Sequence, residues 1–176
     1  DLHWRKAWVG SASAFDAEGN ELATWRVAAD AATDPAKLAE RVAADVAWLV
    51  AEHPDVAVHC VQDAAPELRA MVEALDNALP ADVEAVELID FEHLMGYLDN
   101  VVDALDPADP RNMKGWYRGE LLRDDDAIDR ICRNLRSQAK RLPGRNTKPR
   151  RAIAAALRYA RGRKDKMRYA SHYQAN

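Results

Sequence analysis

Leu38, Val42, Val46, Leu49 and Val50 recur at helical spacing between Asp34-Pro35 and His53-Pro54. This pattern predicts a helix with Asp34 as its N-cap, Pro35 at its first position, and a stop where His53 meets Pro54. His53 reads as a residue of the helix end, where the dipole favours it. Upstream, "WRKAWVGSASAFD" (4–16) and "NELATWRVAA" (20–29) flank Asp16, Gly19 and Asn20, which supply turn chemistry. The two runs are expected to pair as a β-hairpin, with Asp16 and Glu18 serving the turn.

Downstream, Val56 to Val61 form an apolar run of strand length, of the kind found in a sheet covered on both faces. Leu68, Met71, Val72 and Leu75 mark the following helix. "VEAVELID" (83–90) reads as a second strand, and "FEHLMGYLDNVVDAL" (91–105) returns to helix with Leu94, Leu98, Val101, Val102 and Leu105 inward. Strand–helix–strand–helix order predicts an α/β fold with parallel strands and right-handed crossovers. "DPADPRNMKG" (106–115) breaks the pattern. The expected organisation is therefore an α/β core over 1–106 and a helical region over 107–176. In that second region Ile128, Ile131, Cys132, Leu135, Ala139 and Leu142 share one helix face, with Arg130, Arg133, Arg136, Lys140 and Arg141 opposite. Asp124 to Asp126 suit the start of that helix. "LPGRNTKP" (142–149) ends it, and a last basic helix is expected from about Arg150.

Charge changes this picture more than composition does. Residues 1–110 carry 6 Lys and Arg against 23 Asp and Glu, whereas residues 111–176 carry 19 against 6. Such asymmetry points the basic part toward a polyanion, with attraction between the halves or solvated helix faces as the plainer explanations. Twelve Lys or Arg and a single Asp165 lie between Lys140 and Arg168, with Tyr159, Tyr169 and Tyr173 among or after them. DNA is the expected partner of this surface, through Arg133, Lys140, Arg141, Arg145, Lys148, Arg150, Arg151, Arg158, Arg161, Arg163 and Lys164. No apolar run approaches the ~20 residues that span a bilayer, so no membrane partner is expected. The first residues do not read as a signal peptide, and a start at Asp rather than Met suggests a piece of a longer protein. Cys60 and Cys132 stand far apart without CxxC spacing, which fits a reducing cytoplasm.

Asp63 and Asp90 both fall at the carboxyl ends of the expected parallel strands, where ligands of open α/β sheets collect. An acidic pair there can hold Mg²⁺ or do acid–base work, and His93 lies one helical turn beyond Asp90. The alternative is that each Asp simply caps a helix and that His93 is an ordinary surface or core histidine. There is no GxxxxGK, no GxGxxG and no Ser nucleophile elbow, so nucleotide hydrolysis, dinucleotide binding and α/β-hydrolase chemistry are not expected.

The order of the hairpin, the strand "VAVHCVQDAAPELRAM", the strand "VELIDFEHLMGYL" and the late "RKDKMRYASHYQAN" resembles bacterial insertion-sequence transposases of the DDE type, the Kra-type elements among them. The likeness covers nearly the whole chain, and its most specific parts are Asp63 to Pro66 and the Asp-Phe-x-His run at 90–93. That run is also similar to the Cys/Asp-x-x-His signature of Mutator-like transposases. The resemblance implies a ribonuclease H-like mixed sheet built from the hairpin and the parallel strands, followed by the all-helical basic region as an insertion. It makes Asp63 a catalytic carboxylate and ligand of two Mg²⁺ (or Mn²⁺) ions, which activate the attacking oxygen and stabilise the leaving one. It makes Asp90 and His93 an accessory catalytic motif, and transposon ends and target DNA the partners, with a homo-oligomer as a further expectation. The first Asp and the final Glu of the family triad have no counterpart in this sequence, so turnover by this chain alone is not expected. Two other readings stand beside it: a metal-dependent nuclease or phosphoesterase using Asp63, Asp90 and His93, and a non-enzymatic nucleic-acid-binding module.

Overall fold

The computed structural model describes residues 7–30, 34–63, 68–144 and 147–173. The fold is mixed α/β, and the described residues divide into two compact units, one up to Glu87 and one from Leu88 onward. The first unit opens with the expected hairpin, β1 (Ala7–Phe15) and β2 (Glu21–Asp30), paired antiparallel with Gly10 opposite Val27 and Ala12 opposite Trp25. Residues 4–6 of the expected strand lie outside the described residues. The turn forms for the reason the sequence supplies. Asp16 accepts hydrogen bonds from the backbone N–H of Glu18 and Asn20 and from the Asn20 amide, and Gly19 takes a positive φ of 81° that favours glycine.

Helix α1 (Pro35–Glu52) begins where Asp34 accepts the Ala36 N–H at 3.0 Å, and ends at His53, whose N–H returns to Leu49. Strand β3 (Val58–Gln62), helix α2 (Arg69–Ala78) and strand β4 (Ala85–Ile89) follow. The start of the helix expected at Pro66 lies outside the described residues. Strands β3 and β4 form a parallel pair, and the side chains of Gln62 and Glu87 hydrogen-bond across it.

Two expectations about these strands need correction. The run from Val56 does not pair until Val58, and β3 is covered on one face only. Val58 and Cys60 are buried, whereas His59 is exposed and Val61 is 61% exposed. Helices α1 and α2 supply one apolar surface, so the period-2 alternation of the strand buries every second residue and leaves the others outward. The single mixed sheet implied by the resemblance is also not formed: among the described residues the hairpin and the parallel pair are two separate two-stranded sheets.

Helix α1 serves both sheets. Leu38 and Val42 pack with Val27, Ala43 packs with Cys60 and Leu75, and Val50 packs with Val58 and Leu79. Gly10 lets β1 approach this helix, because a Cβ added there would lie 2.8 Å from Val42 Cγ2.

The second unit is helical. Asp90 caps α3 (Phe91–Leu105), whose Leu94, Met95, Leu98, Val101 and Val102 are buried. The sequence grouped this helix with the strands, but its packing partners are α4 (Pro110–Arg123) and α6 (Lys148–Ala160). The 106–115 breaker is shorter than expected, since Asp109 caps α4 and Pro110 occupies its first turn. Helix α5 (Ala127–Arg141) buries Ile128, Ile131, Cys132 and Leu135, and a 3₁₀ turn (Lys164–Lys166) leads to α7 (Tyr169–Tyr173). Two of the three acids before α5 act locally rather than only through its dipole, and the third, Asp126, makes no side-chain cap bond. Asp124 accepts the Asp126 N–H and pairs with Arg130, and Asp125 accepts the Ser171 N–H at 3.1 Å. No described helix is long and apolar enough to cross a membrane.

Two substitutions test this packing. Gly10→Val is expected to lower stability by ~1–3 kcal/mol by forcing a side chain into Val42. In urea unfolding, G10V with Val42→Ala is expected to cost less than the sum of the two single changes, because each relieves the other. Tyr117 is fully buried with no hydrogen-bond partner for its hydroxyl among the described residues, and burial pushes that hydroxyl's pKa up to about 12. Tyr117→Phe is therefore expected to leave the melting temperature unchanged or raise it, because the buried polar atom disappears.

Candidate nucleic-acid interface and strand-end acids

The three acid–base candidates are not one constellation within either unit. Asp63 directly follows β3 in the first unit and is partly buried; Ala64 to Pro66 of its motif lie outside the described residues. Asp90 and His93 belong to the second unit, where Asp90 is held as a helix cap. One of its carboxylate oxygens accepts the N–H of Glu92 at 2.8 Å and of His93 at 3.4 Å. A carboxylate between a buried strand end and a first helical turn satisfies donors that helix geometry leaves unpaired. That capping role answers why the strand Ala85–Ile89 ends in an acid.

Fit to the implied Mg²⁺ pair can be judged from the donors present. Among the described residues no group of three His, Cys, Asp or Glu side chains is placed to hold a metal ion. Asp90 already spends an oxygen on two backbone donors, and Glu87 is engaged by Gln62. A two-ion centre needs several convergent carboxylates, so the described residues by themselves do not supply one, and no catalytic step is assigned to them.

Around Asp90 the second unit gathers aromatic rings. His93 is exposed, with its ring centroid 5.4 Å from that of Tyr159 and 5.6 Å from that of Tyr97. Tyr97 and Tyr159 stack at 4.4 Å and 20°. The Arg163 guanidinium lies 5.5 Å from the Tyr159 ring centre, and its Nη1 donates to the Tyr159 carbonyl at 2.8 Å. On the same helix end, Arg118 binds both oxygens of Glu92 at 2.8 Å and covers the ring of Phe91, which meets Tyr169 edge to face at 5.0 Å. The Arg118 pairing holds the Glu92 carboxyl below its ordinary pKa. Burial, then the neighbouring Tyr159 and Asp90, push the Tyr169 hydroxyl up.

The basic residues divide into those held by a partner and those without one. Arg150 donates to the Leu142 carbonyl at 2.6 Å, closing the end of α5; Arg163 is tied to Tyr159; Lys164 pairs with Asp129 and lowers its pKa. Arg133, Lys140 and Arg141 on α5, Lys148 and Arg158 on α6, and Arg161 just beyond it are exposed. These six have no hydrogen-bond or ion-pair partner among the described residues, though Arg133 shares the field of Asp129 with Lys164. Arg151 is also exposed, and Arg145 lies outside the described residues. At 100° per residue, Arg133, Lys140 and Arg141 fall on one side of α5, and Lys148, Arg151 and Arg158 on one side of α6. Arg130, expected on the outward basic face, is instead drawn to Asp124 and Glu120.

Sequence reasoning placed His93 next to the acids and missed its ring partners. The signal was present in the four-residue spacing of His93 and Tyr97 on one helix face, but Tyr159 is more than 60 residues away, and only the packing of α3 on α6 brings it there. No family model, curated protein or solved structure matches the chain.

The cap is testable separately from any chemistry. Asp90→Ala is expected to cost about 1 kcal/mol in denaturant unfolding, and Asp90→Asn or Asp90→Ser most of a kcal/mol less, since both side chains still accept the N–H groups. Equal losses in all three variants would remove the cap as the role of this side chain.

Proposed function

We propose that this chain is a DNA-holding part of a DDE-type transposase, and that the outward rows of α5 and α6 grip phosphates. The observation that carries this reading is the set of five exposed cations, Lys140, Arg141, Lys148, Arg158 and Arg161, that no described acid neutralises, with exposed Arg133 beside them sharing Asp129 with Lys164. Internal attraction is supported for Arg130 and Lys164, which have acidic partners, and in part for Arg133, and accounts poorly for the other five. Affinity from such rows is sequence-independent and falls as salt displaces the advantage of releasing counterions. The transposase part of the reading rests on the resemblance carried by Asp63 and by the Asp90-Phe91-x-His93 run. Strand cleavage and its Mg²⁺ ions then belong to the complete protein, where further carboxylates would join Asp63.

A second reading, a nucleic-acid-binding module with no chemistry of its own, draws support from the lack of a three-donor metal group among the described residues. The same observation weighs against a nuclease built from Asp63, Asp90 and His93 alone.

Fluorescence anisotropy with duplex DNA across a salt series tests the shared part of both readings. Binding is expected to weaken steeply between low and physiological salt. Lys140→Ala with Arg141→Ala is expected to weaken it on every sequence tried and to make the log K against log salt slope shallower by about two. Absence of binding at low salt, or a slope indifferent to both substitutions, would overturn the DNA-holding role.

A further inference from the structure

The three-ring cluster of the second unit has a feature that packing alone does not require: its outermost member, His93, is exposed while its neighbours hold it in place. Tyr159 is buried and stacked on Tyr97, and the His93 ring leans on both. The first turn of α3 fixes the His93 backbone through Asp90. An exposed aromatic ring steadied by two tilted neighbours has already lost part of the freedom that a flexible side chain would lose on binding. Arg163, anchored on the Tyr159 carbonyl, adds a positive charge beside the same rings.

We propose that His93 is a stacking platform for one unpaired nucleobase, with Tyr97 and Tyr159 backing it and Arg163 attracting the adjoining phosphate. This deepens the DNA-holding reading and rests on it. The chemistry selects single-stranded or frayed DNA: inside a duplex each base face is covered by its neighbours and each base is held by its pair, whereas an unpaired base can swing a face onto the imidazole. Stacking of this kind tolerates any base, since every base has a π-face. It supplies what the rows of α5 and α6 lack, because phosphate contacts along a backbone do not distinguish paired from unpaired DNA.

The test compares a blunt duplex with the same duplex carrying a short 3′ tail that contains 2-aminopurine, using the full chain. The tailed DNA is expected to bind roughly fivefold or more tightly, with the 2-aminopurine fluorescence quenched on binding. His93→Ala is expected to abolish both the preference and the quenching while leaving blunt-duplex affinity and its salt slope in place. His93→Phe, which keeps a ring and no charge, is expected to retain both. Blunt-duplex affinity serves as the folding control for the two variants. Equal binding of tailed and blunt DNA by the unsubstituted chain, or an undiminished preference in H93A, overturns the platform and leaves DNA holding intact. Failure to bind either DNA overturns DNA holding itself and the platform with it.

Discussion

Among the described residues Val46 packs against three apolar clusters of the first unit, and that position explains how two minimal sheets persist in one fold. A two-stranded sheet in water is marginal alone and needs another apolar layer to hold it. Both sheets here obtain that layer from α1: Leu38 and Val42 serve the hairpin, and Ala43 and Val50 serve the parallel pair. The constraint runs from sequence to packing. The helix must keep its apolar stripe through more than four turns, it must start sharply at Asp34-Pro35, and β1 must carry a residue without a side chain at position 10.

The second unit depends on termini as much as on core. Its helices are joined by short links, and several acids at those links find backbone donors or a cation. Asp90 starts α3, Asp109 starts α4 by accepting the Asn112 N–H, and Asp125 reaches the N–H of Ser171 at the far end of the sequence. These contacts decide where side chains emerge. His93 is three residues past its cap, so the cap fixes the turn from which the imidazole projects. A carboxylate that looks catalytic by position at a strand end thus performs a structural task that orders its neighbour.

Local chemistry made much of this legible. The Asp16-to-Asn20 turn, the Asp34-Pro35 start, the His53 stop and the span 91–105 each follow from residues within one or two turns of the feature they set. The sequence was silent where the outcome depended on what packs against what. The alternation Val58, Cys60 against His59, Val61 is visible, yet the apolar character of Val61 argued for two covered faces, and only the absence of a second layer over it among the described residues corrects that. Helix α3 followed the strands in order and so was grouped with them, although its Leu94, Leu98 and Val101 stripe finds its partners in α4 and α6. The ribonuclease H-like mixed sheet is a tertiary property of the same kind, and the two separate sheets neither supply it nor name another family.

Counting charges predicted a polyanion partner, but the count alone overstated the available surface. Glu120 and Asp124 claim Arg130, Asp129 claims Lys164, and the α5 end claims Arg150. Pairs at exposed positions contribute little to stability, so these contacts matter more for where they leave charge than for what they hold together. What remains lies along the outer sides of α5 and α6, where like charges repel one another and slightly oppose the compact state. Where a fold pairs one set of cations with acids and leaves another without a described acidic partner, that repulsion is retained mainly on the second set. Relief of that repulsion by an incoming phosphate backbone favours binding before any specific contact is made, and it does so most strongly at low ionic strength, where screening is weakest.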